Sequence, residues 1–173
     1  EKEEEAGEEK LNAAVRLDPS DPRDDLLELY CGNGNFTIPL AQNFRFVLAT
    51  EVAKSSVEAA RYNLTANATP NVFLARMAAE EFAETMRSGG TRRRLAGLPG
   101  WGQLRLRTLL VDPPRSGLDR FTEQLMKEFD RILYISCNPA TLAANLRAVA
   151  ASHRISRMAA FDQFPYTHHL ECG

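Results

Sequence analysis

An alternation constrains this chain more than any other feature. Short apolar runs are separated by stretches with helical spacing. Residues 25–30 (DLLELY) read as a buried strand that runs into a Gly/Asn turn, CGNGN. Residues 36–43 are predicted to be helical, with Pro39 in the first turn, where proline is tolerated. Residues 46–50 form a second strand ending at Glu51. Residues 54–67 form a helix that sets Val57, Ala60 and Leu64 on one face. A third strand at 71–75 precedes a helix at 78–87. Strands at 108–111, 131–136 and 155–161 follow, separated by helices at 122–129 and 141–151. Residues 88–102 read as a surface insertion, and the end, DQFPYTHHLECG, reads as a loop.

Strand–helix alternation without an internal repeat predicts an α/β fold: a doubly wound, mainly parallel sheet with helices on both faces. Such sheets bind ligands outside the carboxyl ends of their strands. The unusual residues of this chain, CGNGN, Glu51, DPPRSG and SCNP, all fall at those ends. The reading is one domain over 25–173, preceded by an acidic lead-in at 1–24 that is partly disordered or helical.

With 173 residues, 44% hydrophobic and 25% charged, the composition is that of one globular domain. No apolar run is long enough to span a bilayer, so no membrane partner is expected. The first residue is Glu rather than Met, which suggests a fragment or a processed product whose targeting segment is absent. The first ten residues carry a net −4 against −2 overall, leaving +2 for the rest. That balance argues weakly against non-specific polyanion binding and leaves room for a focused basic groove. Cys31, Cys137 and Cys172 form no CxxC pair, so neither a disulfide framework nor zinc is expected. A reducing, intracellular compartment follows, cytoplasm or an organelle.

The turn Tyr30-Cys31-Gly32-Asn33-Gly34-Asn35 lets backbone approach a ligand closely. Glu51 follows Gly32 by 19 residues, the place of an acid that accepts from ribose hydroxyls. An ordinary tight turn and a surface glutamate are the plainer alternative. The absence of GxGxxG favours S-adenosylmethionine over a dinucleotide. Asp112-Pro113-Pro114-Arg115 stiffens the exit of the fourth predicted strand, where Asp112 faces cofactor or substrate. Arg115 suits either a phosphate or a local acid.

Cys137 ends the fifth strand at this same edge. A cysteine is most often an inert small hydrophobe, but this position reads as a catalytic nucleophile. Cys31 reads as packing, and Cys172 supports no assignment. His168 and His169 have no second cluster with which to hold a metal. Arg92–Arg94 fit RNA phosphate or a solvated loop equally well. Phe164 and Tyr166 fit base stacking or core packing equally well.

The motifs LELYCGNGNF, VDPPRSGLD, ILYISCNP and DQFPYTHHLECG together resemble the RNA 5-methyluridine (uracil-5-) methyltransferases, above all the branch acting on the T-loop uridine of transfer RNA. The resemblance runs from about residue 25 to 173, broken at 88–102. It implies the Rossmann-like sheet of S-adenosylmethionine-dependent methyltransferases, here lacking its last strand. It also implies S-adenosylmethionine as cofactor, held by Tyr30, Gly32, Asn35, Glu51 and Asp112. Cys137 would be the nucleophile and Glu171 the proton acceptor. RNA, in particular tRNA, would be the partner, bound by a monomer without metal. Three alternatives remain open: a ribosomal-RNA uridine methyltransferase, an amino-group methyltransferase built on DPP, and a non-catalytic RNA-binding scaffold.

Overall fold

The computed structural model describes residue 12 and residues 17–90, 92–98, 100–163, 165–167 and 169–173. Five strands form one parallel sheet: β1 (Asp25–Leu29), β2 (Phe46–Glu51), β3 (Val72–Arg76), β4 (Leu106–Val111) and β5 (Arg131–Tyr134). Their order is β3-β2-β1-β4-β5. The chain therefore builds outward from β1 in one direction, then crosses back to build β4 and β5 on the other side. That reversal opens a crevice between the carboxyl ends of β1 and β4.

The helices are α1 (Thr37–Ala41), α2 (Lys54–Ala66), α3 (Ala79–Ser88), α4 (Arg120–Leu125) and α5 (Pro139–Leu146). Two apolar cores lie on opposite faces of the sheet. Leu27 and Leu29 of β1 join Phe82 of α3, Leu125 of α4 and Leu142 of α5 on one face. Leu26 joins Ala41 of α1 and Val57, Ala60 and Leu64 of α2 on the other. Successive residues of β1 thus serve opposite layers, and the whole strand is buried. This is why DLLELY reads as an apolar-rich run rather than an alternating one.

A buried ion pair fixes the amino-terminal edge of the sheet. Arg45 Nε and Nη2 donate to the two carboxylate oxygens of Asp25, at 2.8 and 2.6 Å. The Arg105 amide donates to Asp25 Oδ2 at 2.6 Å, and Arg45 Nη2 also donates to the Gln103 carbonyl. One carboxylate thereby ties β1 to the residue before β2 and to the residue before β4. The Asp25 and Arg45 side chains are 0% and 3% exposed. At the far edge, the Asn12 amide donates to the Leu74 carbonyl and accepts from the Leu74 amide, both at 3.0 Å. It fills a backbone position beside edge strand β3.

Several elements differ from the sequence reading. The predicted strand at 155–161 shrinks to β6 (Ala160–Phe161). Ile155 and Met158, two of its large apolar residues, are largely exposed. The final segment is not all loop, because Glu171–Cys172 forms β7, antiparallel to β6. The last two predicted helices each end as a 3-10 turn, at Met126–Glu128 and Arg147–Val149. The 88–102 insertion holds two more 3-10 turns and packs Leu95 into the core.

Removing one partner of a buried ion pair leaves an uncompensated charge. Asp25→Ala is therefore expected to lower stability by about 3–5 kcal/mol, read as a lower urea midpoint at an unchanged slope.

Candidate active site

The crevice is built from four strand exits. After β1, Tyr30 adopts φ 61°, a left-handed conformation uncommon for a non-glycine residue. Gly32 and Gly34 follow at φ 57° and 89°. Three such residues in five turn the chain sharply over the sheet edge. The turn is closed by Gly34 N–H donating to the Cys31 carbonyl at 2.9 Å and tied to β2 by Cys31 N–H donating to the Thr50 carbonyl at 3.0 Å. A β-carbon placed on Gly32 would meet nothing within 4 Å, so this face of the turn is open to a ligand. Asn35 lies exposed on the rim.

Glu51 ends β2 beside this turn. Its Oε2 accepts from the Gly32 amide at 3.0 Å and its Oε1 from the Ala53 amide at 2.7 Å. The carboxylate is oriented, and each oxygen retains acceptor capacity. A cavity of about 280 Å³ opens here, lined by Tyr30, Thr50, Glu51, Met77 and Glu80 among others. An oriented acid, an open glycine face and a cavity fit the nucleoside portion of a cofactor. Burial is the main cause that pushes the Tyr30 hydroxyl up to about 12, so it stays a neutral hydrogen-bonding group.

After β4, Asp112 is half-buried, and its carboxyl is raised by burial and then by the Glu171 carboxylate. After β5, Ser136 and Cys172 exchange both backbone hydrogen bonds, at 2.8 and 2.9 Å, in an antiparallel bridge. The bridge joins the segments that carry Cys137 and Glu171, each one residue from a bridge partner. The Glu171 carboxylate acts on Asp112, so the exits of β4 and β5 and the start of β7 meet at this edge. Cys137 is partly exposed, whereas Cys31 and Cys172 are buried. Burial pushes both buried thiols up, Cys31 well up. Cys31 is thus packing, as expected. Cys172, which supported no assignment from sequence, is a core thiol donating to the Ser136 carbonyl at 3.4 Å.

Other expectations are redirected. Arg115 lies at the surface beside an imidazole: its Nη1 is 3.3 Å from His169 Nε2. Guanidinium is always a donor, so the imidazole accepts. Arg92 pairs with Glu81 and Glu84, and Arg94 pairs with Glu81, all on α3. These exposed pairs lie between the insertion and α3. Tyr166 is fully exposed, which removes its core-packing reading. Phe164 and His168 lie outside the described residues. Among the described residues, no group of three or more His, Cys, Asp or Glu could hold a metal, and no helix is long and apolar enough to cross a membrane.

Sequence reasoning passed over Glu28, although an acid in the middle of an apolar strand is a visible signal. Glu28 is 1% exposed, and its Oε2 has no hydrogen-bond partner among the described residues. Burial pushes it up to about 7, and the charge of Asp112 adds to the effect. It lies in the strand directly beneath the glycine turn. The unfolded chain ionises this group near the ordinary value, while the folded chain resists until about pH 7. Stability is therefore full below about pH 4.5 and falls as pH rises towards 7, by about 3 kcal/mol in all. Glu28→Gln is expected to abolish that fall. Urea unfolding of both proteins at pH 5 and pH 8 checks it, and the variant should be the more stable at pH 8.

A sequence model of the family described as tRNA (Uracil-5-)-methyltransferase matches residues 7–173. The chain is similar to the tRNA/tmRNA (uracil-C(5))-methyltransferase of Musicola paradisiaca (strain Ech703), with 60% identity over 149 residues, 86% of this chain and 40% of that protein. The protein of the same name from Azoarcus sp. (strain BH72) is 61% identical over 149 residues, with 86% and 41% covered. Among solved structures, the chain is similar to Pyrococcus abyssi tRNA (uracil-54, C5)-methyltransferase in complex with S-adenosyl-L-homocysteine. There the TM-score is 0.66 and the identity 26%, over 95% of this chain and 36% of that one. The chain thus spans about two fifths of the length of these curated relatives.

Proposed function

Because the chain belongs to the tRNA (uracil-5-)-methyltransferase family, we propose that it carries the catalytic centre for S-adenosylmethionine-dependent methylation of uridine at carbon-5 in RNA, with tRNA as substrate. Tyr30, Gly32, Asn35, Glu51 and Asp112 would hold the cofactor. The fit rests on the oriented Glu51 carboxylate, the open face of Gly32 and the adjoining cavity. When bound there, S-adenosylmethionine supplies the electrophilic methyl group.

The chain's own residues do the rest. Carbon-5 of uracil is a poor nucleophile. The Cys137 thiolate adds to carbon-6, a carbon–sulfur bond forms, and the ring π electrons move through carbon-5 onto the carbonyl oxygen as an enolate. Carbon-5 then has the electron density to form a bond to carbon. After methylation, the Glu171 carboxylate takes the carbon-5 proton. The electron pair restores the ring double bond, and the sulfur leaves carbon-6. One difficult substitution becomes several easier steps. The target base must leave its stack to reach the crevice.

The observation that supports this reading is the antiparallel bridge between Ser136 and Cys172, which joins the segments of Cys137 and Glu171 near Asp112. An amino-group methyltransferase needs no such thiol. RNA containing 5-fluorouridine tests the point, because fluorine does not leave as a proton does. With cofactor, the full-length protein is expected to give a denaturation-resistant RNA complex, and Cys137→Ala none. A complex formed by the alanine variant would sink the mechanism. Glu171→Gln should let the adduct form on ordinary uridine but slow its resolution. A methylated protein–RNA species would then accumulate on denaturing gels, with turnover reduced by about 10²–10⁴-fold.

A further inference from the structure

The loop that carries Asp112 and Arg115 is held from one helix. Gly117 and Leu118, at the end of DPPRSGL, lie against α5, which begins two residues after Cys137. Asn138 Nδ2 donates to the Arg115 carbonyl at 3.1 Å, while its Oδ1 caps α5 by accepting from the Ala140 amide. From the penultimate residue of the helix, Asn145 reaches the other end of the same loop. Its Oδ1 accepts from the Leu118 amide at 3.0 Å and from the Tyr134 hydroxyl of β5 at 2.7 Å. Its Nδ2 donates to Glu123 Oε1 of α4.

Asn145 is only 6% exposed, yet both ends of its amide are used. Packing around it is close. A β-carbon on Gly117 would lie 2.5 Å from Asn145 Oδ1 and 3.2 Å from the Thr141 β-carbon, and Gly117 has φ 80°. The loop therefore seats against this amide with no space for a larger residue.

We infer that Asn145 is a positioning residue for the methyl-transfer reaction. It fixes the Asp112–Arg115 loop to the helix that follows Cys137, so that both halves of the site keep one geometry. It touches no reacting atom and acts through the loop. The inference rests on the function proposed above. A displacement of the order of 1 Å in a reacting constellation costs about 10²-fold in rate, which sets the scale of the expected effect.

The test uses the full-length protein and RNA containing 5-fluorouridine, with cofactor and RNA both saturating. Asn145→Ala is expected to slow covalent adduct formation by about 10–100-fold. Any loss of cofactor affinity should be smaller than the loss of rate, since Glu51 and the glycine turn belong to other strands and only Asp112 rides on this loop. Asn145→Asp keeps the acceptor for Leu118 and Tyr134 but sets a carboxylate against Glu123, and it should be slow as well. Adding Glu123→Gln restores a donor–acceptor pair, and the double variant should recover most of the rate.

A folded Asn145→Ala with a parental rate would overturn the inference, and so would a folded double variant no faster than Asn145→Asp. Amide exchange gives a readout that does not need activity. The Leu118 amide should lose protection in Asn145→Ala while β1–β3 amides keep theirs, and an unchanged Leu118 amide would also overturn the inference. If the parent protein itself gives no adduct, the proposed function fails. Leu118 exchange then decides separately whether Asn145 holds the loop.

Discussion

Asp25 carries more of this architecture than its place at the start of a strand suggests. A parallel sheet has no tight hairpins to fix its register, and a slip of one residue would move every side chain to the opposite face. The chain instead ties the entries of three adjacent strands to one buried carboxylate through Arg45 and the Arg105 amide. The β1–β4 register shifts by one residue between Asp25 and Leu26, and from there the three strands run in register to their exits. Tyr30, Glu51 and Asp112 all lie one or no residues beyond those aligned strands. The charged pair at the inert edge thus anchors the strands whose exits meet at the reactive edge.

The reactive edge tolerates features that the core does not. Tyr30 takes a left-handed φ where glycine would be easier, and it keeps its ring in the cavity wall. Glu28 is held beneath the turn without a full set of hydrogen-bond partners. Both are costs in folding stability, and both adjoin the turn that would meet the cofactor. Strain and unsatisfied polarity of this kind concentrate at functional sites when the surrounding structure holds them in place. Here the surroundings are two complete apolar layers.

Much of this was legible because buried parallel strands produce unbroken apolar runs, and their exits carry residues that no core needs. DLLELY, FVLATE and TLLV announced β1, β2 and β4, and Cys137 stood out through its place at such an exit. What escaped depends on contacts distant in sequence. The Asn12 amide pairs with Leu74 across 62 residues, and Asn145 serves Leu118 across 27. No local pattern encodes either contact. Residues 155–161 look like a strand by composition, but a strand also needs a partner, and β7 pairs with only two of them. Arg92 and Arg94 look like a phosphate site until Glu81 and Glu84 are found beside them on α3.

The direction of β7 explains why an acid so far along the chain can serve this site. A strand parallel to β5 would present its last residues at the reactive edge. An antiparallel strand presents its first, and Glu171 opens β7. The bridge between Ser136 and Cys172 then ties β7 to the exit of β5, one residue from Glu171 and one from Cys137. The segment before β7 is drawn to the same edge, where His169 meets Arg115 of the DPPR loop. One reversal of chain direction thus brings both this acid and the histidine that meets the arginine to the reactive edge. A loop with no pairing of its own would have left Glu171 without a defined place at that edge.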